Sequence, residues 1–397
     1  MLYSTQVIKM SEKYTIKEVS ELFHVPKSTL RYWESEGIIG SNRNDHNEYR
    51  EYTTEDLIII ADILFYRNLN IPVKDLKNIY QKSIHENMNI LYASYDRIEK
   101  QIQELKKVQT KIKKRVSAGM IYENLIHDCT LGFWMDWQAQ GTRISRNVLF
   151  DNDRDGNLEV THGPMILDNN IFASKYAFDN HSQGAAFVHN LFCGYVCRQR
   201  ILDRATPYHF PHSTELAGYA FTYGGDERYF NNIFVGNGEE MANGHFWGTA
   251  EYDENPDSYE AFINGVQENK EQDQERYIES LQPVYVNGNV YLYGAKAYKK
   301  EKSKYVDRNF DCHVEINKER GKIYISFDMP EGIQNISADL IDTKTLGHTI
   351  LSNAIYDSAE GHIVFDKDYH LEHRKDNICP GPFRNIIPGK NKLCVWN

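Results

Sequence analysis

The sequence predicts a multi-domain chain: an α-helical winged helix-turn-helix with a coiled-coil helix behind it, then a parallel β-helix and a C-terminal β-sandwich. Three patterns lead there. Two short helix signals meet at a proline turn within the first 40 residues. A seam of apolar residues spaced alternately four and three runs over 84–116. Beyond residue 117, asparagine followed by two apolar residues recurs at intervals close to 20–23.

The 397 residues allow two to four domains at about 100–200 residues each. With 41% hydrophobic and 25% charged residues the composition is globular, not disordered. The longest apolar run, around 57–65, falls far short of the ~20 residues that span a bilayer. The opening MLYSTQVIKM has neither a long apolar core nor a small-residue cleavage site. The expectation is a cytoplasmic protein without a membrane segment. Six cysteines (129, 193, 197, 312, 379, 394) are too sparse for a disulfide framework, and Cys193/Cys197 has no second pair at zinc spacing. They are expected to be reduced, with no metal and no cofactor. Residues 1–118 carry 19 Lys+Arg against 16 Asp+Glu, a net of +3; the remainder carries 26 against 40, a net of -14. A mildly basic head on an acidic body implies two tasks in one chain.

In the head, Thr15 with Glu18 forms a capping box for a helix over 16–23. His24-Val25-Pro26 makes the turn, Pro26 opens a second helix over 27–35, and Gly37 ends it. The polar stretch SNRNDHNEYREY suits a hairpin wing. Thr54 with Asp56 is expected to start a helix over 57–69, and 73–81 reads as a fourth helix. The segments YTIKEVSELFHVPKSTLRYWESEGII, YREYTTEDL and IPVKDLKNI resemble the MerR family of transcriptional regulators. The resemblance covers about 11–116 and implies a DNA-binding domain at 11–82. It implies a recognition helix carrying Lys27, Ser28, Thr29, Arg31 and Tyr32, and a wing with Arg43, Tyr49 and Arg50 against phosphates. Arginine and lysine would supply the salt-dependent backbone attraction, and hydroxyls the register.

The seam of Ile84, Met88, Leu91, Tyr95, Ile98, Ile102, Leu105, Gln109, Ile112 and Val116 is apolar at nine of ten positions. It predicts a coiled-coil dimerisation helix over 83–116, the alternative being a helix packed on its own domain. A homodimer also suits a two-fold DNA site. The seam holds no Cys or His cluster of the metal-sensing kind.

Behind it, the repeat asparagines are Asn124, Asn147, Asn170, Asn190, Asn232 and Asn289, with gaps of 23, 23, 20, 42 and 57. The 42 reads as two units, and the 57 as one unit plus an inserted acidic helix near 237–282. Leucine-rich repeats share this period but need a Leu-x-x-Leu-x-Leu spacing that is absent. The aromatic and β-branched units favour a β-solenoid. The repeat asparagine reads as a structural residue stacked at a turn.

Asp136 lies 12 residues after Asn124, and Glu159 lies 12 after Asn147. Equal offsets on adjacent coils place both acids at one angle round the solenoid, on strands about 4.7–4.9 Å apart. Two carboxyls so placed approach the ~5–5.5 Å separation of retaining glycosidases; the alternative is a solvated charge ladder. Trp134 and Trp137 could stack on sugar faces, and His162 could tune Glu159. The stretches FWMDWQAQGTRISRN, GNLEVTHGPMILDNNIF, TPYHFPHST and GGDERYFNNIFVGN resemble glycoside hydrolase family 120, β-xylosidases built on a right-handed parallel β-helix. The resemblance runs over about 118–397. It implies Asp136 as nucleophile, Glu159 as acid/base, and a substrate that is a xylo-oligosaccharide or aryl β-xyloside. Arg143, Arg198, His209 and His212 are weaker substrate-side candidates, the alternative for each histidine being a hydrogen-bonded loop residue. It further implies a β-helix at 118–304 that is truncated at its N-terminal end, and a β-sandwich at 305–397. Three functions fit: a DNA-binding regulator that hydrolyses β-xylosides, a regulator whose body is a catalytically dead sugar sensor, and a truncated hydrolase with an incidental head.

Overall fold

The computed structural model describes residues 13–44, 48–117, 119–239, 245–271, 273–336, 338–358, 361–374 and 378–397; the leader expectation, the wing tip, residue 118 and parts of the insertion lie outside these. The chain forms two units, Met1–Gln109 and Thr110–Asn397.

In the first unit Thr15 caps the helix Ile16–Leu22. Its Oγ1 accepts from the Glu18 amide at 3.4 Å, while its own amide donates to the Glu18 carboxylate at 2.8 Å. The second helix, Lys27–Ser35, begins directly after Pro26 and buries Leu30 and Trp33. Asn42–Arg43 and Arg50–Tyr52 pair antiparallel as the wing, and Tyr14–Thr15 adds a third strand. The next helix, Thr54–Asn68, starts earlier than the sequence reading placed it. Thr53 is the cap, accepting from the Asp56 amide at 3.3 Å, because the Asp56 carboxylate sits three residues on. Residues 73–81 are not one helix. Two 3-10 turns, Val73–Leu76 and Ile79–Gln81, are split by extended Lys77 and left-handed Asn78, a conformation asparagine tolerates.

The helix Ile84–Ser117 spans 34 residues. Ile90 packs on the head's core, and Ser94 is buried with its hydroxyl donating to the Leu69 carbonyl at 2.7 Å. The heptad seam lies largely off this contact: Ile84, Met88, Leu91, Tyr95, Ile102, Leu105 and Ile112 are exposed.

The second unit is a solenoid of parallel strands in three walls. The first wall runs Met120–Tyr122, Arg143–Ser145, Met165–Asp168, Ala185–Val188, Glu227–Phe230, Val284–Asn287. The second runs Leu125–His127, Val148–Phe150, Ile171–Phe172, Leu191–Phe192, Ile233–Val235, Asn289–Leu292, Lys304–Asp307. The third holds Phe133–Met135, Gly156–Glu159, Tyr176–His181 and Tyr195–Arg198. Inside, Phe172, Phe192, Phe234 and Tyr291 occupy matching positions on successive strands, with ring centroids 5.0–5.3 Å apart.

The repeat asparagines form one hydrogen-bonded ladder. The side-chain oxygens of Asn147, Asn170, Asn190, Asn232 and Asn289 each accept from the backbone amide and the Nδ2 of the asparagine one coil before, at 2.8–3.0 Å. Asn289 in turn donates both groups to Glu301 Oε1, at 3.0 and 2.8 Å. The ladder satisfies the amides at each corner between the first and second walls, where the chain bends and no strand partner is available.

Spacing misleads at two gaps. The 42-residue interval is not two coils. It is one coil plus an antiparallel hairpin, Ile201–His209 with Leu216–Thr222. The insertion before the last coil holds two helices, Tyr259–Glu268 and Asp273–Glu279, instead of one. For the C-terminal region, 305–397, the sequence expectation is a β-sandwich. Among the described residues it offers a three-stranded sheet, Glu315–Glu319, Lys322–Met329 and Gly389–Trp396. Ile323, Ile325, Phe327 and Val395 from that sheet pack against Val148, Ile171, Leu191 and Ile233 of the second wall. The solenoid itself is the second layer, because its wall is apolar on both faces.

Buried acids give the solenoid a pH dependence. Burial pushes the carboxyls of Glu227 and Glu251 up to about 8 and that of Glu301 to about 7. Such groups hold their protons more tightly folded than unfolded. Their stabilisation is complete below pH ~4.5 and is lost as pH rises towards 8. His162 acts oppositely: burial pushes it down to about 4, so its share is complete above pH 6.5 and lost as pH falls towards 4. The denaturation midpoint of the solenoid should therefore fall between pH 6 and 8. Glu251→Gln should flatten that fall, by up to about 1.4 kcal/mol per pH unit. Identical slopes in wild type and variant would contradict this.

Candidate functional sites

On the head, the helix Lys27–Ser35 turns Leu30 and Trp33 inward, which leaves Lys27, Ser28, Arg31 and Tyr32 exposed and Thr29 half-buried on the opposite face. In the wing Arg43 and Tyr49 are exposed, and Arg43 Nη1 donates to the Glu48 carbonyl at 3.0 Å. Arg50, expected against phosphates, donates its Nε to Glu34 Oε2 at 2.6 Å. Tyr52 donates to the other Glu34 oxygen at 2.7 Å. Burial raises the Glu34 carboxyl, but hydrogen bonds from Tyr52, Arg50 and Ser41 outweigh it, and the net shift is downward. Arg50 thus ties the wing to the helix Lys27–Ser35.

In the solenoid, the third wall positions the acid pair. Met135 and Leu158 are register partners on adjacent strands. Asp136 and Glu159 each follow that pair by one residue. Phe133 and Leu158 are buried while Trp134 is exposed, so strand alternation turns Asp136 and Glu159 outward. Asp136 is exposed, and its Oδ1 accepts from the Trp137 amide at 2.7 Å. Trp134 and Trp137 are 57% and 47% exposed beside it, an apolar surface left open to solvent. Glu159 is half-buried, and its Oε1 meets Arg204 Nη2 at 3.1 Å.

The structure adds residues that the sequence reading missed. His181 is the register partner of Glu159 on the next strand, extending the acid pair into a column of three. Burial lowers the His181 pKa, and the neighbouring Glu159 charge partly offsets this. His181 lies 11 residues after Asn170, one short of the 12-residue offset shared by Asp136 and Glu159, so equal offsets point to Ser182 and pass it by. Arg204 sits on the hairpin, outside the repeat, and no spacing signals it. Asp179, two residues before His181, is ion-paired with Arg154.

Other candidates are placed away from this column. His162 is buried, with Nε2 2.8 Å from Thr206 Oγ1 and Nδ1 2.8 Å from Gln183 Nε2. The amide must donate to Nδ1, so Nε2 carries the hydrogen. The ring pins the hairpin to the coil and does not touch Glu159. Arg143 lies on the first wall and grips Asp168 through two bonds, at 2.7 and 2.9 Å. Arg198 Nη2 donates to the Gly224 carbonyl at 2.6 Å, and its guanidinium lies 4.3 Å from the Tyr252 ring centroid. His212 is buried, with Nε2 2.9 Å from Asp357 Oδ1. His209 is half-buried on the hairpin, its amide donating to Gln140. The side chains of His162, Arg143, Arg198 and His212 have structural partners, as buried polar groups require. Among the described residues no cluster of three or more His, Cys, Asp or Glu could hold a metal, and no helix is long and apolar enough to cross a membrane.

The family model for the MerR HTH regulatory proteins matches residues 14–83. Residues 14–83 are a MerR-family helix-turn-helix domain. The multidrug-efflux transporter 2 regulator of Bacillus subtilis is 28% identical over 105 residues, 26% of this chain and 38% of that protein. The type II methyltransferase M.Eco47II of Escherichia coli is 42% identical over 73 residues, 18% of each chain. The transcriptional regulator SkgA of Caulobacter vibrioides is 33% identical over 64 residues, 16% of this chain and 25% of that one. The chain thus spans less than two fifths of these curated relatives. Joined to the MerR domain is a body similar to XylC, solved in complex with xylose. That match has 42% identity and a TM-score of 0.67, covering 70% of this chain and 43% of that chain.

Proposed function

We propose that the chain is a dimeric, cytoplasmic MerR-type regulator that binds double-stranded DNA and whose solenoid hydrolyses β-xylosides with retention. Asp136 serves as nucleophile and Glu159 as acid/base. One observation carries the enzymatic half: both acids follow the Met135–Leu158 register pair and turn outward from neighbouring strands. Strands at about 4.7–4.9 Å bring carboxyls into the range used for double displacement. Asp136 would attack the anomeric carbon while Glu159 protonates the leaving oxygen. Glu159 would then take a proton from the water that releases the sugar. Trp134 and Trp137 offer stacking faces for the pyranose, and likeness to a xylose-bound protein supports the sugar class. The test is release of nitrophenol from an aryl β-xyloside, with the first-formed xylose checked by NMR. Initial α-xylose removes the retaining assignment and Asp136 as nucleophile, and no release above the blank removes the hydrolase reading.

For the head, Lys27, Ser28, Thr29, Arg31, Tyr32, Arg43, Tyr49 and Arg50 form the DNA face. The exposed seam on 84–116 supplies the coiled-coil contact of the dimer. Arg31→Ala should weaken duplex binding roughly tenfold at 100 mM salt, and wild-type affinity should drop steeply between 50 and 200 mM. A salt-independent affinity, or none at low salt, contradicts the assignment. A second reading, a catalytically dead sensor of xylo-oligosaccharides, draws support from the Arg204–Glu159 ion pair, which occupies one oxygen of the proposed acid.

A further inference from the structure

The asparagine ladder has a direction, and its two ends differ. At the late end Glu301 terminates it: Oε1 accepts from Asn289, and Oε2 accepts from the Tyr291 hydroxyl at 2.7 Å. At the early end Asn124 donates forward to Asn147, but its own side-chain oxygen accepts from no described residue. Asn147, Asn170, Asn190, Asn232 and Asn289 are at most 1% exposed, whereas Asn124 is open to solvent. The backbone repeats the asymmetry. The amides of Val148, Ile171, Leu191, Ile233 and Val290 each donate to the carbonyl of the ladder asparagine one coil before, at 2.9 Å. Leu125 holds the same place in the first coil, where no described asparagine precedes it. Met120–Tyr122, Leu125–His127 and Phe133–Met135 are the terminal strands of all three walls on this side. Met120 beside them is 42% exposed.

We infer that this end is a docking surface for one more parallel β-coil, supplied by a partner polypeptide that carries asparagine followed by two apolar residues. Ladder polarity selects that occupant. The incoming coil must present an amide N–H and a side-chain Nδ2 to Asn124 Oδ1, and a carbonyl to the Leu125 amide. A second copy does not meet this need. Two early ends face to face would set acceptor against acceptor, and a late end would bring the Glu301 carboxylate, which is already engaged. Unpaired parallel edges recruit strands in general. XylC has more than half its length beyond the part that this chain matches. The inference rests on the fold and is independent of the hydrolase reading.

The test uses the full chain and a synthetic peptide copying residues 143–159, the second coil with its Asn147. Hydrogen exchange of the full chain is followed with increasing peptide. Amides in 120–127 and 133–135 should slow at least tenfold, while the head is unaffected. The same peptide with Asn147→Ala should need at least tenfold more to reach that protection, and a scrambled peptide should give none. No slowing, or equal slowing by the scrambled peptide, overturns the inference. So does protection of these strands that rises with protein concentration alone, which would assign the surface to a second copy.

Discussion

Replacing Asp136 by alanine should abolish aryl β-xyloside hydrolysis, lowering kcat by about 10⁴-fold, the scale seen when a single member of a catalytic set is removed. That corresponds to about 5.4 kcal/mol of lost barrier reduction. Without a carboxylate at this position no covalent glycosyl intermediate can form, so the loss should not depend on the leaving group. Glu159→Ala should behave differently. General acid catalysis is worth roughly 10²–10⁴-fold, and an aglycone that departs without a proton needs little of it. The first step should fall steeply for xylobiose and barely for a dinitrophenyl xyloside, and added azide should restore turnover as a β-xylosyl azide. Both variants should keep a melting temperature close to wild type, because Asp136 is exposed and the Glu159 ion pair with Arg204 is partly open to solvent. Equal rates in wild type and Asp136→Ala would remove the assignment. A xylose-dependent rise in melting temperature without turnover would move the body to the sensor reading.

Cutting the ladder at its middle should produce the largest loss of stability. Asn190 is fully buried, and its Oδ1 accepts from the Asn170 amide at 2.9 Å and from Asn170 Nδ2 at 3.0 Å. Its Nδ2 donates to the Leu167 carbonyl at 2.8 Å and to Asn232 Oδ1 at 3.0 Å. Asn190→Leu strands two donors and one carbonyl inside the solenoid at about 1–3 kcal/mol each. A total near 4–6 kcal/mol is expected. Asn124→Leu removes one exposed rung and should cost under about 1 kcal/mol. Urea denaturation followed by solenoid tyrosine and tryptophan emission measures both. Similar losses at the two positions would show that the ladder does not act as a chain of buried bonds.

The same contrast marks what could be read before the structure. The Thr15–Glu18 box, the Pro26 turn and the heptad seam are local patterns, each set by residues within a few positions of one another. They are present where the sequence put them, with the cap at Thr53 instead of Thr54; the helix expected over 73–81 is instead two 3-10 turns. The asparagine period gave the coils wherever a coil alone separated two markers, as from Asn124 to Asn190. It failed at the 42-residue gap because chain length does not distinguish a coil from a hairpin that leaves the solenoid and returns.

Within the acid column the division is sharper. Equal offsets located Asp136 and Glu159, since parallel strands keep one register along a wall. The partners that surround them were hidden. Arg204 arrives on the hairpin, and His162 turns inward to Thr206 and Gln183 although it lies three residues from Glu159. Arg143 faces another wall altogether, bound to Asp168. Repeat spacing by itself determined the solenoid, its structural asparagines and the shared angle of two carboxylates, because those follow from a periodic backbone. Only the tertiary structure decided which side chains meet those acids, and that Glu301 closes one end of the ladder while Asn124 at the other is exposed. Excursions from the repeat and the pairing of buried polar groups are contacts between residues far apart in the chain, and no local pattern encodes them.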